Sequence, residues 1–355
     1  MDKYKIDSHK LSLHVSRVNS WLKGETVFPV YIEISPSGAC NHRCTFCGLD
    51  FMGYKPRKLE TDVLKERLTE MGKLGVKGAM YGGEGEPLLH QDLADVIRHT
   101  VKSGISAALT TNGVLLDRPN MEMILKDIDW MKASVNAGTP ETYSKIHRTK
   151  EEDFFKVIDN LKNASEIRSE NGYSCALGMQ MLLMPENRDE AVTLAKIAAD
   201  IGVDYLVIKP YSWNPKSLVQ TYKEIKYNQY IDLADDLEKF NTKDFRVIFR
   251  KNAMAKHDSK SKSYCNCVAL PFISYIDSGG SVWGCSDYLE DERFYYGNIY
   301  DNSFNDIWHS ETRKKSLDWV ANEMDVNMCR VNCRMEEVNQ YLSDLISPPP
   351  HVNFI

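Results

Sequence analysis

The chain has 355 residues, 43% of them hydrophobic and 26% charged, a balance typical of a globular protein with a sizeable buried core. Its formal net charge of -6 lacks the basic excess of most nucleic-acid-binding proteins, so no nucleic-acid partner is expected. The charged N-terminus lacks a signal-peptide core, and the longest apolar run is shorter than the roughly 20 residues that cross a bilayer, which predicts a cytoplasmic protein without a membrane partner.

Short apolar segments alternate with helical patterns over the first two thirds of the chain. Strands are predicted in residues 30–35, 76–83, 105–113, 129–138, 174–184 and 204–212. The first connecting helix is predicted to begin with Thr61 as its N-cap and to end at Gly75. Its buried face is predicted to hold Leu64, Leu68 and Met71. Repeated β–α units of this kind predict an α/β fold, a partial (β/α)6 barrel with its chemistry at the C-terminal strand ends.

The pattern changes after Tyr211. The next elements are predicted as a helix in residues 227–240, an edge strand in residues 245–250 and a solvated lysine-rich loop in residues 256–263. Gly279 and Gly280 then mark the turn of a β-hairpin. A single long helix follows, and its Ser303 and Asp306 fit a capping box. These elements predict a small C-terminal α+β domain.

Three cysteines follow the first predicted strand in the stretch CNHRCTFC, at positions 40, 44 and 47. In a reducing compartment, closely spaced thiols favour metal binding over disulfides. Three thiolates can hold three irons of a four-iron cluster and leave the fourth iron open to a small molecule. Zinc with a remote fourth ligand and three uncoordinated thiols are the alternatives.

This CxxxCxxC spacing, with Phe46 before the last cysteine, resembles the signature of the radical S-adenosylmethionine (SAM) enzymes. The resemblance implies a four-iron, four-sulfur (4Fe–4S) cluster held by Cys40, Cys44 and Cys47, with SAM bound to its open iron. It also implies reductive cleavage of SAM to a 5′-deoxyadenosyl radical that abstracts hydrogen from a substrate. An electron donor such as flavodoxin or ferredoxin is the implied partner, together with a small-molecule substrate.

The segment YGGEGEP is similar to the family's Gly-Gly-Glu-Pro element, and we interpret Gly85 and Glu86 as an insertion before the proline. The resemblance implies SAM-binding residues at the strand ends, namely Phe46, Gly82, Gly83, Glu84, Gly85, Glu86, Thr111, Asn112, Ser134, Asn136 and Gln180. For the polar members, the alternative is a structural role in capping strand ends. Gln180 is predicted to face the barrel interior, because Cys175, Met179 and Met181 share the other face by period two. The glycines that follow an arginine in a related family segment are missing after Arg148, so no role is assigned to it.

Five more cysteines lie in the last quarter of the chain. Their arrangement resembles the twitch auxiliary domain, a shortened relative of the SPASM domain. The resemblance implies a second, auxiliary 4Fe–4S cluster held by Cys267, Cys285, Cys329 and Cys333. A structural zinc ribbon built from the same thiols is the alternative. The spare Cys265 is interpreted as an alternative ligand, a hydrogen donor to a substrate radical or an inert thiol, and Cys175 as core.

The resemblance covers nearly the whole chain and divides it into modules. Residues 30–220 are expected to form the radical SAM partial barrel, and residues 255–340 the twitch/SPASM-like auxiliary cluster domain. A connecting helix and strand are expected in residues 221–254. Residues 1–29 are expected to form an N-terminal helical segment, and residues 341–355 a C-terminal tail.

The resemblance implies a radical SAM oxidoreductase that dehydrogenates or epimerises a small polar substrate, such as a sugar, aminocyclitol or nucleoside derivative. The short segment before the first strand disfavours the alternative of a maturase that modifies a ribosomally made peptide. A structural zinc or iron–sulfur scaffold is the non-enzyme alternative. The substrate pocket is expected between the barrel mouth and the auxiliary module, where Lys209, Tyr211 and Trp213 alternate and are predicted to point the same way. Lys209 would hold a phosphate or carboxylate there, the alternative being a solvent-facing position.

Overall fold

The computed structural model describes residues 3–354, whose strands form a ten-stranded sheet in the order β10-β9-β8-β1-β2-β3-β4-β5-β6-β7. The strands are β1 Tyr31–Ile34, β2 Gly78–Tyr81, β3 Ser106–Thr111, β4 Trp130–Ser134, β5 Ala176–Leu183, β6 Tyr205–Pro210, β7 Arg246–Phe249, β8 Ile273–Ile276, β9 Ser281–Trp283 and β10 Tyr295–Asn298. All neighbouring pairs from β8 through β1 to β7 are parallel, and β8, β9 and β10 pair antiparallel. The α/β partial barrel is confirmed.

Helices connect the parallel strands and complete the C-terminal part. They are α1 Val15–Leu22, α2 Thr61–Lys73, α3 Leu93–Lys102, α4 Arg118–Ile124, α5 Pro140–His147, α6 Glu152–Asn171, α7 Ala191–Asp200, α8 Leu233–Glu238, α9 Lys251–Ser259, α10 Phe304–His309, α11 Glu311–Asn322 and α12 Glu336–Ile346. Within residues 3–354, none of these helices is both long enough and apolar enough to cross a membrane.

The two faces of the sheet have opposite character. Ile32, Leu109, Met131, Met179 and Leu206 are completely buried on the face that the helices cover. Burial of such a side chain contributes about 1.5–3 kcal/mol relative to leaving it exposed. The strand register places polar side chains on the other, concave face, which is the interior of the open barrel. The chamber inside the barrel is therefore lined by polar side chains such as Ser134 and Gln180, together with an apolar cluster of Tyr205, Val207 and Ile248.

The hairpin strands β8 and β9 extend the barrel sheet, which the sequence did not predict. β8 pairs in parallel with β1, and Glu33 lies opposite Tyr275 in this register. At the other edge, β7 pairs in parallel with β6 and is the predicted edge strand. The C-terminal cysteine segments therefore lie beside β1, the strand from which the first cysteine loop departs.

Two predicted helix boundaries are wrong. Glu60, not Thr61, occupies the N-cap of α2, and the Thr61 hydroxyl instead donates to Asp92 Oδ2 at 2.6 Å. Leu64, Leu68 and Met71 are buried as predicted, and Gly75 has a φ of +90° one residue beyond the C-cap. The predicted long helix after Ser303 is two helices, because Ser310 ends α10 and its hydroxyl caps α11 by accepting from the Arg313 amide.

The segment between β6 and β8 also differs from its prediction. The helix predicted in residues 227–240 is shorter, since α8 spans only Leu233–Glu238 and a 3-10 turn precedes it. The predicted lysine-rich loop is partly helical, because α9 continues to Ser259. Met254 and His257 are buried on α9, and this packing explains why the helix extends into a charged segment.

Candidate functional site

The loop between β1 and α2 places Cys40, Cys44 and Cys47 at the C-terminal edge of the parallel sheet. All three are partly buried free thiols. Burial raises the pKa of Cys40 to about 11 and also raises the pKa values of Cys44 and Cys47. Cys47 adds to the raised pKa of Cys40, and Cys40 and Cys47 both add to that of Cys44. Protons on crowded, buried thiols are displaced when a metal binds the thiolates. A soft three-thiol donor set of this kind fits three irons of a 4Fe–4S cluster.

The C-terminal end of α5 fixes the backbone of this cysteine loop. The Thr45 amide donates to Ile146 O at 2.8 Å, and the Arg43 amide donates to His147 O at 3.1 Å. The Arg43 guanidinium also donates to Cys40 O at 2.7 Å. These bonds hold the loop in one conformation, so the spacing of the thiols is set before any metal binds.

His147 is a site residue that sequence reasoning missed. Its Nδ1 lies 3.2 Å from Cys44 Sγ, and its Nε2 lies 2.9 Å from Val135 O. Burial, with a further contribution from His42, lowers the pKa of His147 to about 3, so the imidazole is neutral. Phe46 packs edge-on against this ring, with centroids 5.1 Å apart. The imidazole and the Phe46 ring therefore form the wall behind Cys44.

The neighbouring Arg148, which the sequence pattern had drawn attention to, is exposed and has a φ of 49° at the end of α5. The histidine donor atoms of His42 and His147 lie within 4.8 Å of Cys44 Sγ and of each other. Among the described residues, no other three histidine, cysteine or acidic side chains bring their possible metal ligands this close together. These three residues are therefore the best candidates for the zinc site that was the alternative to an iron–sulfur cluster. In the sequence, the only sign of this site residue was its position directly before Arg148, in a segment that resembles a family motif.

The ends of β2 and β3 meet at a buried carboxyl group. Glu86 Oε1 accepts from the Thr111 hydroxyl at 2.5 Å, and its Oε2 accepts from the Asn112 amide at 2.8 Å. Burial raises the pKa of Glu86 to about 7. The Asn112 side chain in turn donates to Asn41 Oδ1 at 2.6 Å, inside the cysteine loop. Glu86, Thr111 and Asn112 are thus brought together beside the predicted cluster site.

The two glutamates of the glycine-rich segment have different surroundings. Glu86 N donates to Ala39 O at 2.8 Å, directly before the first cysteine. The Glu84 carboxylate instead accepts from the Ser278 amide at 2.9 Å and lies 3.6 Å from Arg57. Gly85 and Glu86, which we interpreted as an insertion, therefore abut the cysteine loop, and the Glu84 side chain points to the β8–β9 turn. The contact of Glu84 with SAM stays a prediction.

Gly85 is required by its contact with the cysteine loop. A Cβ at this position would overlap the carbonyl oxygens of Ser37 and Ala39. We expect Gly85→Ala to displace the loop, to destabilise the fold by about 1–3 kcal/mol and to lower iron content. Gly78→Ala, at the start of β2, is the matched control, since its Cβ would meet only the Tyr31 ring at an ordinary 3.7 Å. Iron analysis and thermal unfolding test this prediction, and equal iron and stability in both variants would contradict it.

Gly82 and Gly83 end β2 beside neighbouring strands. A Cβ at Gly82 would meet Thr110 at 3.6 Å, an ordinary contact. Gly83 has a φ of +105°, and a Cβ there would overlap the Tyr275 hydroxyl and the Ser35 side chain. Gly83 thus allows β8 to approach β2 across β1. Their contacts with SAM remain predictions.

Asn136 makes structural hydrogen bonds at the strand ends, and its contact with SAM stays a prediction. It is completely buried, and its Oδ1 accepts from the Leu182 amide at 2.8 Å. Its carbonyl accepts from the Asn187 side chain at 2.6 Å, so the ends of β4 and β5 are tied together. Ser134 and Gln180 lie opposite each other on the concave face, with Gln180 Nε2 donating to Ser134 Oγ at 3.4 Å. These two side chains face the barrel interior, as the period-two pattern predicted for Gln180.

The second cysteine set converges on one cavity. Its lining includes all four predicted ligands, Cys267, Cys285, Cys329 and Cys333. Burial raises the pKa of Cys329 to about 11 and also raises those of the other three thiols. Cys265 is exposed and lies outside the described lining. Four partly buried thiols around one cavity fit a cluster with four thiolate ligands.

Charged side chains connect this cavity to the barrel interior. Arg330 and Asp287 form a buried ion pair at 2.7 Å. Arg334, directly after Cys333, pairs with Glu33 of β1, which also accepts from the Tyr31 hydroxyl at 3.1 Å. Glu33 and Arg334 both line the cavity. The four-cysteine cavity therefore adjoins the concave face of the sheet.

The three residues predicted to line the substrate pocket separate in the structure. Lys209 is partly buried, with Lys132 and Arg330 among the cations that affect its pKa. Tyr211 is buried in the core, where its ring packs 5.6 Å from Tyr222. Trp213 donates to Gln220 Oε1 at 2.5 Å. β6 ends at Pro210, so the strand alternation that predicted a common direction does not extend to Tyr211 and Trp213. Their role in substrate binding stays a prediction.

The comparisons with known proteins agree with this arrangement. The family model of the Radical SAM superfamily matches residues 34–198, and that of an iron-sulfur cluster-binding domain, SPASM, matches residues 265–334. A probable GTP 3′,8-cyclase of Pyrobaculum aerophilum is 28% identical over 191 residues, which cover 53% of this chain and 60% of the relative. The chain thus spans between 53% and 60% of the first three cyclases that it matches.

Two further similarities extend over most of the chain. The tungsten-containing aldehyde ferredoxin oxidoreductase cofactor-modifying protein of Pyrococcus furiosus is 23% identical over 301 residues, covering 79% of this chain and 81% of the relative. The crystal structure of Streptococcus suis SuiB bound to S-adenosylmethionine has a TM-score of 0.65 at 16% identity, covering 84% of this chain and 70% of SuiB. At that identity, the likeness to SuiB shows the fold alone.

Proposed function

This chain belongs to the radical SAM superfamily, and we propose that it cleaves SAM reductively and takes a hydrogen atom from a small polar substrate. The observation that carries the proposal is the loop of three thiols, which has no fourth cysteine and lies beside the buried strand-end group of Glu86, Thr111 and Asn112. A four-cysteine set lines a separate cavity. The three-cysteine set would leave one iron of a cluster without a protein ligand, whereas the four-cysteine set would supply a ligand for every iron. This difference supports different roles for the two sites.

In this proposal, Cys40, Cys44 and Cys47 hold the SAM-binding cluster. When bound, that cluster would supply the electron for the reductive cleavage of SAM. Glu86 contributes by fixing the loop through Asn112, whose side chain reaches Asn41. The neutral His147 imidazole covers Cys44 and excludes water from that side.

The barrel interior supports a polar substrate. Ser134 and Gln180 present a hydroxyl and an amide on the concave face, and Lys132 and Lys209 add amino groups. Sugar, aminocyclitol and nucleoside derivatives carry hydroxyl groups that match such donors and acceptors. We propose dehydrogenation or epimerisation of a substrate of this class, with flavodoxin or ferredoxin as the electron donor. The adjoining four-cysteine cavity, through Cys267, Cys285, Cys329 and Cys333, would place an auxiliary cluster next to that substrate.

Metal analysis and SAM cleavage test the proposed function together. Protein purified without oxygen is expected to contain about eight irons per chain and matching sulfide. After reduction with dithionite, it is expected to convert SAM slowly to 5′-deoxyadenosine without any substrate, measured by liquid chromatography against an assay without protein. Zinc in place of iron, with no 5′-deoxyadenosine, would contradict the proposal and favour a structural zinc protein.

A further inference from the structure

Two lysines project from neighbouring parts of the sheet onto its concave face. Lys132 of β4 lies opposite Gly178 of β5, and Lys209 of β6 lies opposite Leu182 of the same strand. Gly178 and Leu182 are an even number of residues apart, so both lysines face the same side. That side also carries Gln180 and is the barrel interior. Both lysines are partly buried.

Neither lysine has an anionic partner among the described residues. Lys132 and Lys209 take part in no hydrogen bond or ion pair there, and the contact of Lys132 is the Trp130 ring, 5.7 Å from its ammonium. The positive charge of both ammonium groups is thus uncompensated. Buried charges in proteins are normally paired or neutralised, so two such lysines in one chamber need an explanation.

The nearby arginines do have partners. Arg250 pairs with Asp7 at 2.9 Å, and Arg330 pairs with Asp287 at 2.7 Å. Arg334 pairs with Glu33. Each of these side chains is balanced by one carboxylate, and these carboxylates are not shared with the lysines. The remaining charge of the chamber is therefore that of Lys132 and Lys209.

The surroundings make the two ammonium groups unstable without a ligand. Burial, followed by Arg250, lowers the pKa of Lys132 to about 8. Burial, followed by the charges of Lys132, Arg250 and Arg330, lowers the pKa of Lys209 well below its ordinary value. An anion between the two lysines would relieve both the desolvation and the repulsion.

We propose that Lys132 and Lys209 together bind a dianionic group of the substrate, for which a phosphate monoester is the best match. Phosphate carries a charge of about -1.5 to -2 near neutral pH, which balances two ammonium groups. Lysine binds phosphate as a flexible point charge and does not need the planar geometry of a carboxylate–guanidinium pair. Identification of this anion as part of the substrate rests on the proposed function, whereas anion binding itself does not.

Anion binding by the iron-loaded full-length protein tests the inference directly. Isothermal titration calorimetry with inorganic phosphate, in a phosphate-free, low-chloride buffer, is expected to show one site per chain. Lys132→Met and Lys209→Met are each expected to weaken this binding about tenfold or more, since each removes a charged hydrogen-bond donor. Lys162→Met, on the exposed surface of α6, is the matched control and is expected to bind phosphate like the wild type.

Two further variants and a second anion separate the loss of anion binding from misfolding and from any loss of SAM cleavage. Lys132→Arg and Lys209→Arg keep the charge and are expected to retain binding, which separates a lost charge from a damaged barrel. A parallel titration with succinate distinguishes a pair of carboxylates from a phosphate as the source of the dianion. Failure of phosphate to bind, or phosphate binding that both methionine variants retain, overturns the inference. Absence of SAM cleavage in the wild type would instead overturn the proposed function and leave the anion titration interpretable.

Discussion

Cleavage of SAM is expected to fall below detection when Cys44 is replaced by alanine. The variant leaves only Cys40 and Cys47 in the loop, and two thiolates do not retain a cluster whose three protein-bound irons need three ligands. Cys44 is the central thiol, and both other thiols contribute to its raised pKa. Its loss also removes the side chain that packs against the His147 imidazole. We expect residual iron of about four per chain, belonging to the second cysteine set.

The measurement is the yield of 5′-deoxyadenosine per chain after anaerobic reduction with dithionite, alongside iron content. Cys175→Ala is the matched control, because Cys175 is a buried thiol that precedes β5 and lies outside both cysteine sets. This control is expected to retain iron and SAM cleavage, although removing its buried sulfur destabilises the fold modestly. Wild-type cleavage by the Cys44→Ala protein would exclude the three-cysteine loop as the cluster site.

The periodic spacing of apolar residues predicted which faces of individual strands and helices are buried. The residues that β5 buries, such as Met179 and Met181, follow the period of a strand, and Leu64, Leu68 and Met71 follow that of a helix. The parallel pairing of β8 with β1 joins residues more than 200 positions apart in sequence, and no local pattern encodes it. Likewise, Ser310 ends one helix and begins another in a segment whose helical pattern is continuous.

In the candidate sites, too, features set by residues close in sequence were predictable, and contacts between residues far apart in sequence were not. The spacing of Cys40, Cys44 and Cys47 is local, so the loop was predictable from the sequence. Its contact with His147 depends on how α5 packs against the loop, and the sequence does not reveal it. The sequence also did not reveal the different surroundings of Glu84 and Glu86, because side chains in a glycine-rich turn follow no regular period.

Iron content is expected to fall by about four per chain when Cys285 and Cys329 are both replaced by alanine. These two thiols approach the cavity from different segments, after β9 and before α12, so their loss leaves only Cys267 and Cys333. The three-cysteine loop is unaffected by this change and is expected to keep its cluster. The fold is also expected to become less stable, because the energy of metal binding contributes to folding.

Cys265→Ala is the matched control for this pair. Cys265 lies two residues from Cys267 but is exposed, so the variant is expected to retain the full iron content. Iron and sulfide analysis, with thermal unfolding of the wild type and both variants, gives the result. Loss of all iron from the Cys285→Ala/Cys329→Ala protein would show that the two cysteine sets share a single site. An equal loss from Cys265→Ala would place Cys265 among the ligands and contradict the cavity lining. If the double variant retains four irons and the control retains the full iron content, the three-cysteine loop binds its cluster without the second cysteine set. The four irons expected to remain in the Cys44→Ala protein give the reverse result, so together the two variants assign each cluster to its own ligands.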